Sequence, residues 1–139
     1  MALLLDTHVW VWFLESDEKR LSKKTVERLT TAEEAGELLV SDISFREVAN
    51  KSMREKLFSI DAIIWLERAA VAPGVTYLPV ERAALIQSTR LSGIPPRDPA
   101  DRILIATAQL NDATLVTADA KIINYARGQR GLSVHDARK

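Results

Sequence analysis

At 139 residues the chain is long enough for one core of ordinary size and too short for two. A hydrophobic fraction of 47% with 27% charged residues argues against disorder, no apolar run nears the roughly 20 residues of a membrane span, and the absence of cysteine excludes disulfides and thiolate metal sites. Equal numbers of basic and acidic residues, 19 each, argue against indiscriminate binding to nucleic acid through net charge but leave room for a local basic patch.

The chain opens on Met1-Ala2-Leu3-Leu4-Leu5-Asp6, which lacks a positive n-region and meets an acid almost at once. It does not read as a signal peptide, and a cytoplasmic protein is expected. Leu3 to Leu5 reads as a short buried strand. Thr7 to Glu15, with Val9, Trp10, Trp12 and Phe13, is a helix apolar around most of its circumference. Ser22 to Glu34 is an amphipathic helix with Val26 and Leu29 inward, and Glu37 to Ser41 a second strand. Ser44 to Leu57 is read as a helix with Phe45, Val48, Ala49 and Met53 on one face. Asp61 to Val71 is a further helix carrying Ile63, Ile64, Trp65 and Leu66, closed by Pro73-Gly74. Val75 to Val80 is a third strand, and Pro79 places it at an edge or marks its end. Glu81 to Leu91 is helical, Ser92 to Arg97 a loop, and Pro99 to Asn111 a strong helix with Ile103, Leu104, Ala106, Thr107 and Leu110 in register. Thr114 to Thr117 is a strand, Ala118 to Ala126 a helix, and Leu132 to Val134 a final short strand. Strands alternating with helices predict a three-layer α/β/α sandwich around a mainly parallel sheet of about five strands, as one domain over residues 1–139.

Four acids, Asp6, Glu47, Asp101 and Asp119, are read at helix starts, and three of them follow a strand-forming run. In an open parallel sheet such turns emerge along one edge, so these carboxylates are placed to meet. Clustered carboxylates repel unless a cation neutralises them. With two histidines and no cysteine, the ligands would be oxygens, which points to Mg²⁺ or Mn²⁺. Helix capping is the competing explanation. Ser44-Phe45-Arg46-Glu47 fits a capping box, and Asp98-Pro99-Ala100-Asp101 is a near-ideal helix start. Asp6, between an all-leucine strand and a buried helix, and Asp101, on the same helical side as Leu104 and Ile105, are the two that capping explains least.

Four segments together resemble a PIN-domain ribonuclease, and within that family the VapC toxins of toxin–antitoxin pairs. They are Leu3-Leu4-Leu5-Asp6-Thr7-His8, Ser44-Phe45-Arg46-Glu47-Val48, Asp98-Pro99-Ala100-Asp101-Arg102-Ile103-Leu104-Ile105-Ala106, and Leu115-Val116-Thr117-Ala118-Asp119. The resemblance spans essentially the whole chain, in order. It implies a parallel sheet flanked by helices, a Mg²⁺- or Mn²⁺-dependent endoribonuclease leaving 5′-phosphate and 3′-hydroxyl ends, a cognate VapB-type antitoxin and a homodimer. Its acidic quartet falls on Asp6, Glu47, Asp101 and Asp119, with none missing. Asp98 is a helix cap first and an outer contributor second, and the Thr117 hydroxyl orients a carboxylate or a water.

Thr7 follows the first acid and would face the same pocket. Arg46, Lys51, Arg97 and Arg102 adjoin the acids in sequence and are candidates for RNA phosphate contacts, although Glu47 and Lys51 also make an i,i+4 helix pair. His8 reads as a wall residue or a neighbour of the scissile phosphate, and His135 has no assigned role. The other readings are a catalytically silent PIN-like module that binds RNA or protein, and an Asp-phosphorylated α/β protein. The second lacks support, because Thr7 stands where a receiver has a paired acid and His8 where an Asp-x-Asp phosphatase has its second Asp.

Overall fold

The computed structural model describes residues Met1–Lys139. Five strands form one all-parallel sheet in the order β3-β2-β1-β4-β5: β1 Leu3–Leu5, β2 Leu38–Ser41, β3 Val75–Leu78, β4 Thr114–Thr117 and β5 Ser133–Asp136. Seven helices connect and cover them: α1 Thr7–Leu14, α2 Lys23–Glu34, α3 Ile43–Ser52, α4 Ala62–Ala70, α5 Arg82–Ser88, α6 Pro99–Leu110 and α7 Ala120–Ala126. No helix is long and apolar enough to cross a membrane.

The two faces of the sheet nucleate two cores, because alternate residues of a strand point to opposite sides. Leu3 and Leu5 pack with Val9, Trp10, Leu29, Val40, Val48 and Trp65 on one side. Leu4 packs with Leu104, Ile105, Leu115, Ile122 and Tyr125 on the other. Burial on both faces is what an all-parallel sheet demands, and it explains the unbroken leucines of β1. An aromatic cluster closes the first core. Trp10 stands edge-on to Trp65 at 5.2 Å, Phe45 is 5.0 Å from Trp10, and Phe58 stacks on Trp65 at 4.4 Å.

From β1 the chain winds outward through β2 to β3, then crosses back to lay β4 and β5 on the other side of β1. The reversal falls between β1 and β4, and the crevice beyond the carboxyl ends of two such strands is where open α/β sheets bind ligands. β3 lies at one edge, and Pro79 follows its last residue.

Several elements differ from the sequence reading. The last strand is Ser133–Asp136 rather than Leu132 to Val134; as an edge strand it needs backbone pairing with β4 more than a buried apolar run. The helix read over Ser44 to Leu57 ends at Ser52, which leaves Met53 85% exposed instead of on a core face. Ile63, Ile64 and Leu110 are likewise exposed. Gly74 has φ +82°, and a Cβ there would meet the Glu33 side chain at 2.3 Å, so the turn after α4 requires glycine.

Candidate functional site: an acidic pocket at the strand switch

Asp6 follows β1 directly and caps α1, its Oδ1 accepting the Thr7 backbone N–H at 2.7 Å. Its Oδ2 accepts a 2.6 Å hydrogen bond from Thr117 Oγ1 at the end of β4. Thr117 Oγ1 in turn accepts the Asp119 backbone N–H at 3.0 Å, which links the β4 end to the β1 end through one buried hydroxyl. Asp119 caps α7 by accepting the Lys121 N–H at 2.8 Å. Asp98 caps α6 through the Ala100 N–H at 2.8 Å, with Pro99 in the first helical position. Asp101, one residue past Ala100, makes no hydrogen bond to protein and is half-buried. Asp6, Asp98 and Asp119 are thus helix caps and members of the acidic cluster at once, whereas Asp101 and Glu47 are not caps.

The electrostatics bring these acids together. Burial, foremost, pushes the Asp101 carboxyl up to about 7, and the charges of Asp6, Asp98, Asp119 and Glu47 push in the same direction. Asp6 is raised by its burial, against the Thr117 hydrogen bond that favours its charged form. Glu47 is raised by burial and then by Asp98, with Arg46 opposing. Five carboxylates from α1, α3, α6 and α7 therefore share one field. As they stand, their side chains do not close into a three-ligand cage. What fits a hard divalent cation is the chemistry of the donors, all oxygen, and their unneutralised charge.

Glu47 reaches this pocket by a route that its sequence context disguised. The capping box does not form: α3 begins at Ile43 after Asp42, and Ser44 is already helical. The fully buried Ser44 hydroxyl instead lies 2.8 Å from Thr7 Oγ1, tying α3 to the first turn of α1. A Ser-x-x-Glu run looks the same whether its hydroxyl caps or crosses to a neighbouring helix; only packing decides. Thr7 thus faces the α1–α3 contact.

The basic residues distribute unevenly. Arg46 is exposed and pairs with Glu47 at 3.5 Å. Arg97 is exposed. Arg102 is half-buried, with Nε donating to the Pro96 carbonyl at 2.6 Å, so it braces the loop before α6 and leaves its terminal nitrogens free. Lys51 does not pair with Glu47; its Nζ lies 3.0 Å from His8 Nε2 and 4.0 Å from Glu55. His135 accepts or donates at 2.8 Å to Thr25 Oγ1, joining β5 to α2 away from the acids. Ser44 and the Lys51–His8 pair were not legible as site features, since each depends on how α1 lies against α3.

The comparisons with known proteins bear on the fold and the family. The family model described as PIN domain matches residues 3–128. Ribonuclease VapC22 of Mycobacterium tuberculosis is 31% identical over 125 residues, which cover 89% of this chain and 92% of that protein. The DNA-bound VapBC structure from Salmonella typhimurium contains a chain of similar fold, with TM-score 0.70 at 16% identity over 98% of both chains. The VapBC2 structure from Rickettsia felis, bound to a DNA fragment from its promoter, gives TM-score 0.67 at 14% identity over 97% of this chain and 98% of that one. With the family model spanning four of the five strands and all seven helices, and a relative matched over almost its full length, this chain belongs to the PIN-domain family and is of the VapC type.

Proposed function

We propose that residues 1–139 act as one domain, an endoribonuclease toxin that hydrolyses RNA phosphodiesters in the cytoplasm with Mg²⁺ or Mn²⁺ and is silenced by a VapB-type antitoxin. The observation that carries this reading is Asp101: a half-buried carboxyl with no protein donor, pushed up to about 7 by burial and by four neighbouring carboxylates. A purely structural acid would have a donor or be free in water. Support comes also from the ribonuclease relative and from the VapBC complexes that share the fold.

In this reading Asp6, Glu47, Asp101 and Asp119 hold the cation and are the catalytic acids. When bound, it supplies activation of a water and neutralisation of charge developing on the phosphate. Thr117 fixes the Asp6 carboxylate by donating to Oδ2, so that Asp6 presents one orientation. The Thr7–Ser44 contact holds α3 against α1 and sets where Glu47 stands. Asp98 adds negative charge from the cap of α6. Arg46, Arg97 and the free terminal nitrogens of Arg102 contact flanking phosphates of the RNA.

The antitoxin and a second copy of the chain would need apolar surface. Met53 and Ile63 border a common groove with Ala49 and Ala62 between α3 and α4, and Leu85, Ile86 and Leu110 lie exposed on α5 and α6. The groove suits an apolar helix face of the antitoxin, and the second patch suits a homodimer contact.

The test is induced expression of wild type and Asp6→Asn, with cellular RNA from both cultures mapped for new 5′ ends. Growth arrest with new ends in wild type alone supports the reading. Equal growth with identical RNA profiles overturns it.

A further inference from the structure

His8 is a planar side chain beside the acidic cluster whose position the proposed chemistry leaves unexplained. It is the second residue of α1, two positions after Asp6, and it is exposed. It lies near the Asp6 and Glu47 carboxylates. An exposed side chain on a first turn ordinarily moves among rotamers on the picosecond to nanosecond scale. This imidazole is pinned from two sides. Lys51 Nζ, on α3, lies 3.0 Å from Nε2; an ammonium only donates, so Nε2 is the acceptor. Trp12, one turn further along α1, sets its ring 5.9 Å from the imidazole at a 33° tilt. Trp12 is itself packed against the core and carries the Arg20 guanidinium 5.4 Å over its ring.

The ring is exposed, so packing into the core does not account for its place, and Lys51 reaches it at 3.0 Å while also standing 4.0 Å from Glu55. We propose that His8, held by Trp12 and Lys51, is a stacking platform for an unpaired nucleobase of the RNA beside the cleaved phosphodiester. This rests on the endoribonuclease reading and adds a residue that determines which nucleotides are presented. Bases splayed from single-stranded loops stack on aromatic and imidazole rings, and a platform held rigid before binding loses little freedom on contact. Lys51 stands beside the ring, where the phosphate of the stacked nucleotide would pass. A paired base in a duplex cannot leave its stack to reach His8 without unpairing, so the platform selects unpaired segments.

The experiment uses the full chain with Mn²⁺ and a single-stranded RNA whose cut bond has been mapped. Wild type, His8→Ala and His8→Phe are compared on that RNA and on versions lacking the base on one or the other side of the cut. The expected result is a KM raised about tenfold in His8→Ala with kcat little changed, and a KM restored in His8→Phe because a phenyl ring also stacks. Wild type loses the same factor on one of the two abasic RNAs, and on that RNA all three enzymes agree. His8→Phe as weak as His8→Ala overturns the platform, as does a His8→Ala deficit that persists unchanged on both abasic RNAs. Those outcomes leave the nuclease reading intact. Wild type that cleaves none of the RNAs overturns that reading and the platform with it.

Discussion

Thr117 Oγ1 donates a 2.6 Å hydrogen bond to Asp6 Oδ2, joining the carboxyl ends of two neighbouring strands across 111 positions of sequence. Both residues are buried, Thr117 completely. Thr117→Val keeps the shape and removes the donor. It is expected to lower RNA cleavage by about 10- to 100-fold, as loss of a carboxylate's orienting partner does. Stability should fall by about 1–3 kcal/mol, because a buried acceptor is left short of a donor. Cleavage assays and denaturant unfolding of the variant check both.

Protons would compete with the proposed cation for the same carboxylates. The folded Asp101 carboxyl stands at about 7 against an ordinary 3.8, so between those values the native state keeps a proton that the unfolded chain has lost. Stability without metal is therefore greatest near the acid end of that window and falls as pH rises through it. Asp6 and Glu47 are shifted in the same direction and add to the trend. After allowance for solvent screening of a half-exposed group, the loss is on the order of 2 kcal/mol. Thermal melts in a chelator should show a lower Tm at pH 8 than at pH 5.5.

Asp101→Asn removes the charge while keeping the shape. In chelator at pH 8 this variant is expected to melt higher than wild type, by roughly 5 °C, and the difference should shrink at pH 5.5. RNA cleavage should be lost at both pH values. Melting curves paired with cleavage assays distinguish this from a general stabilisation, which would persist at low pH.

Mn²⁺ should reverse the pH trend. Added at about 100 times its dissociation constant, it is expected to stabilise wild type at pH 8 by roughly 2.7 kcal/mol. Asp6→Asn should show little of that gain. The same Tm with and without Mn²⁺ in wild type would remove the cation from the account.

The Thr7–Ser44 contact offers a milder test. Ser44→Ala should cost about 1 kcal/mol of stability, as loss of one hydroxyl hydrogen bond does. Cleavage should fall more than that small loss explains, because α3 carries Glu47 and its contact with α1 is loosened. Urea unfolding and cleavage rates measured on one preparation check the pair of effects.

The parts legible in the sequence are those where burial leaves a local pattern. Leu3-Leu4-Leu5 and Thr114–Thr117 sit between two covered faces, so they are short runs of residues suited to burial with turn signals after them. Ser133–Asp136 is an edge strand with Val134 as its one apolar residue, and its true bounds come from backbone pairing with β4 rather than from its side chains. For the pocket, the alignment of Asp6 and Asp119 followed from the rule that parallel strands end on one edge. The strand order that makes β1 and β4 neighbours has no local signature. Neither does the contact between α1 and α3. That is why Ser44 resembled a cap, and why Lys51 resembled a helix partner of Glu47 although it contacts His8 and Glu55.

The central position of β1 also governs when the pocket can exist. This strand leaves the ribosome before the other strands of the sheet, yet one of its two strand neighbours and the hydroxyl that holds Asp6 come from Thr114–Thr117, more than a hundred residues later. Chains grow at about 5–20 residues per second, so for several seconds of synthesis Asp6 has neither Thr117 nor Asp119 beside it. The acidic cluster therefore cannot assemble until the fourth strand has emerged, and a chain that stops short of β4 lacks both Thr117 and Asp119.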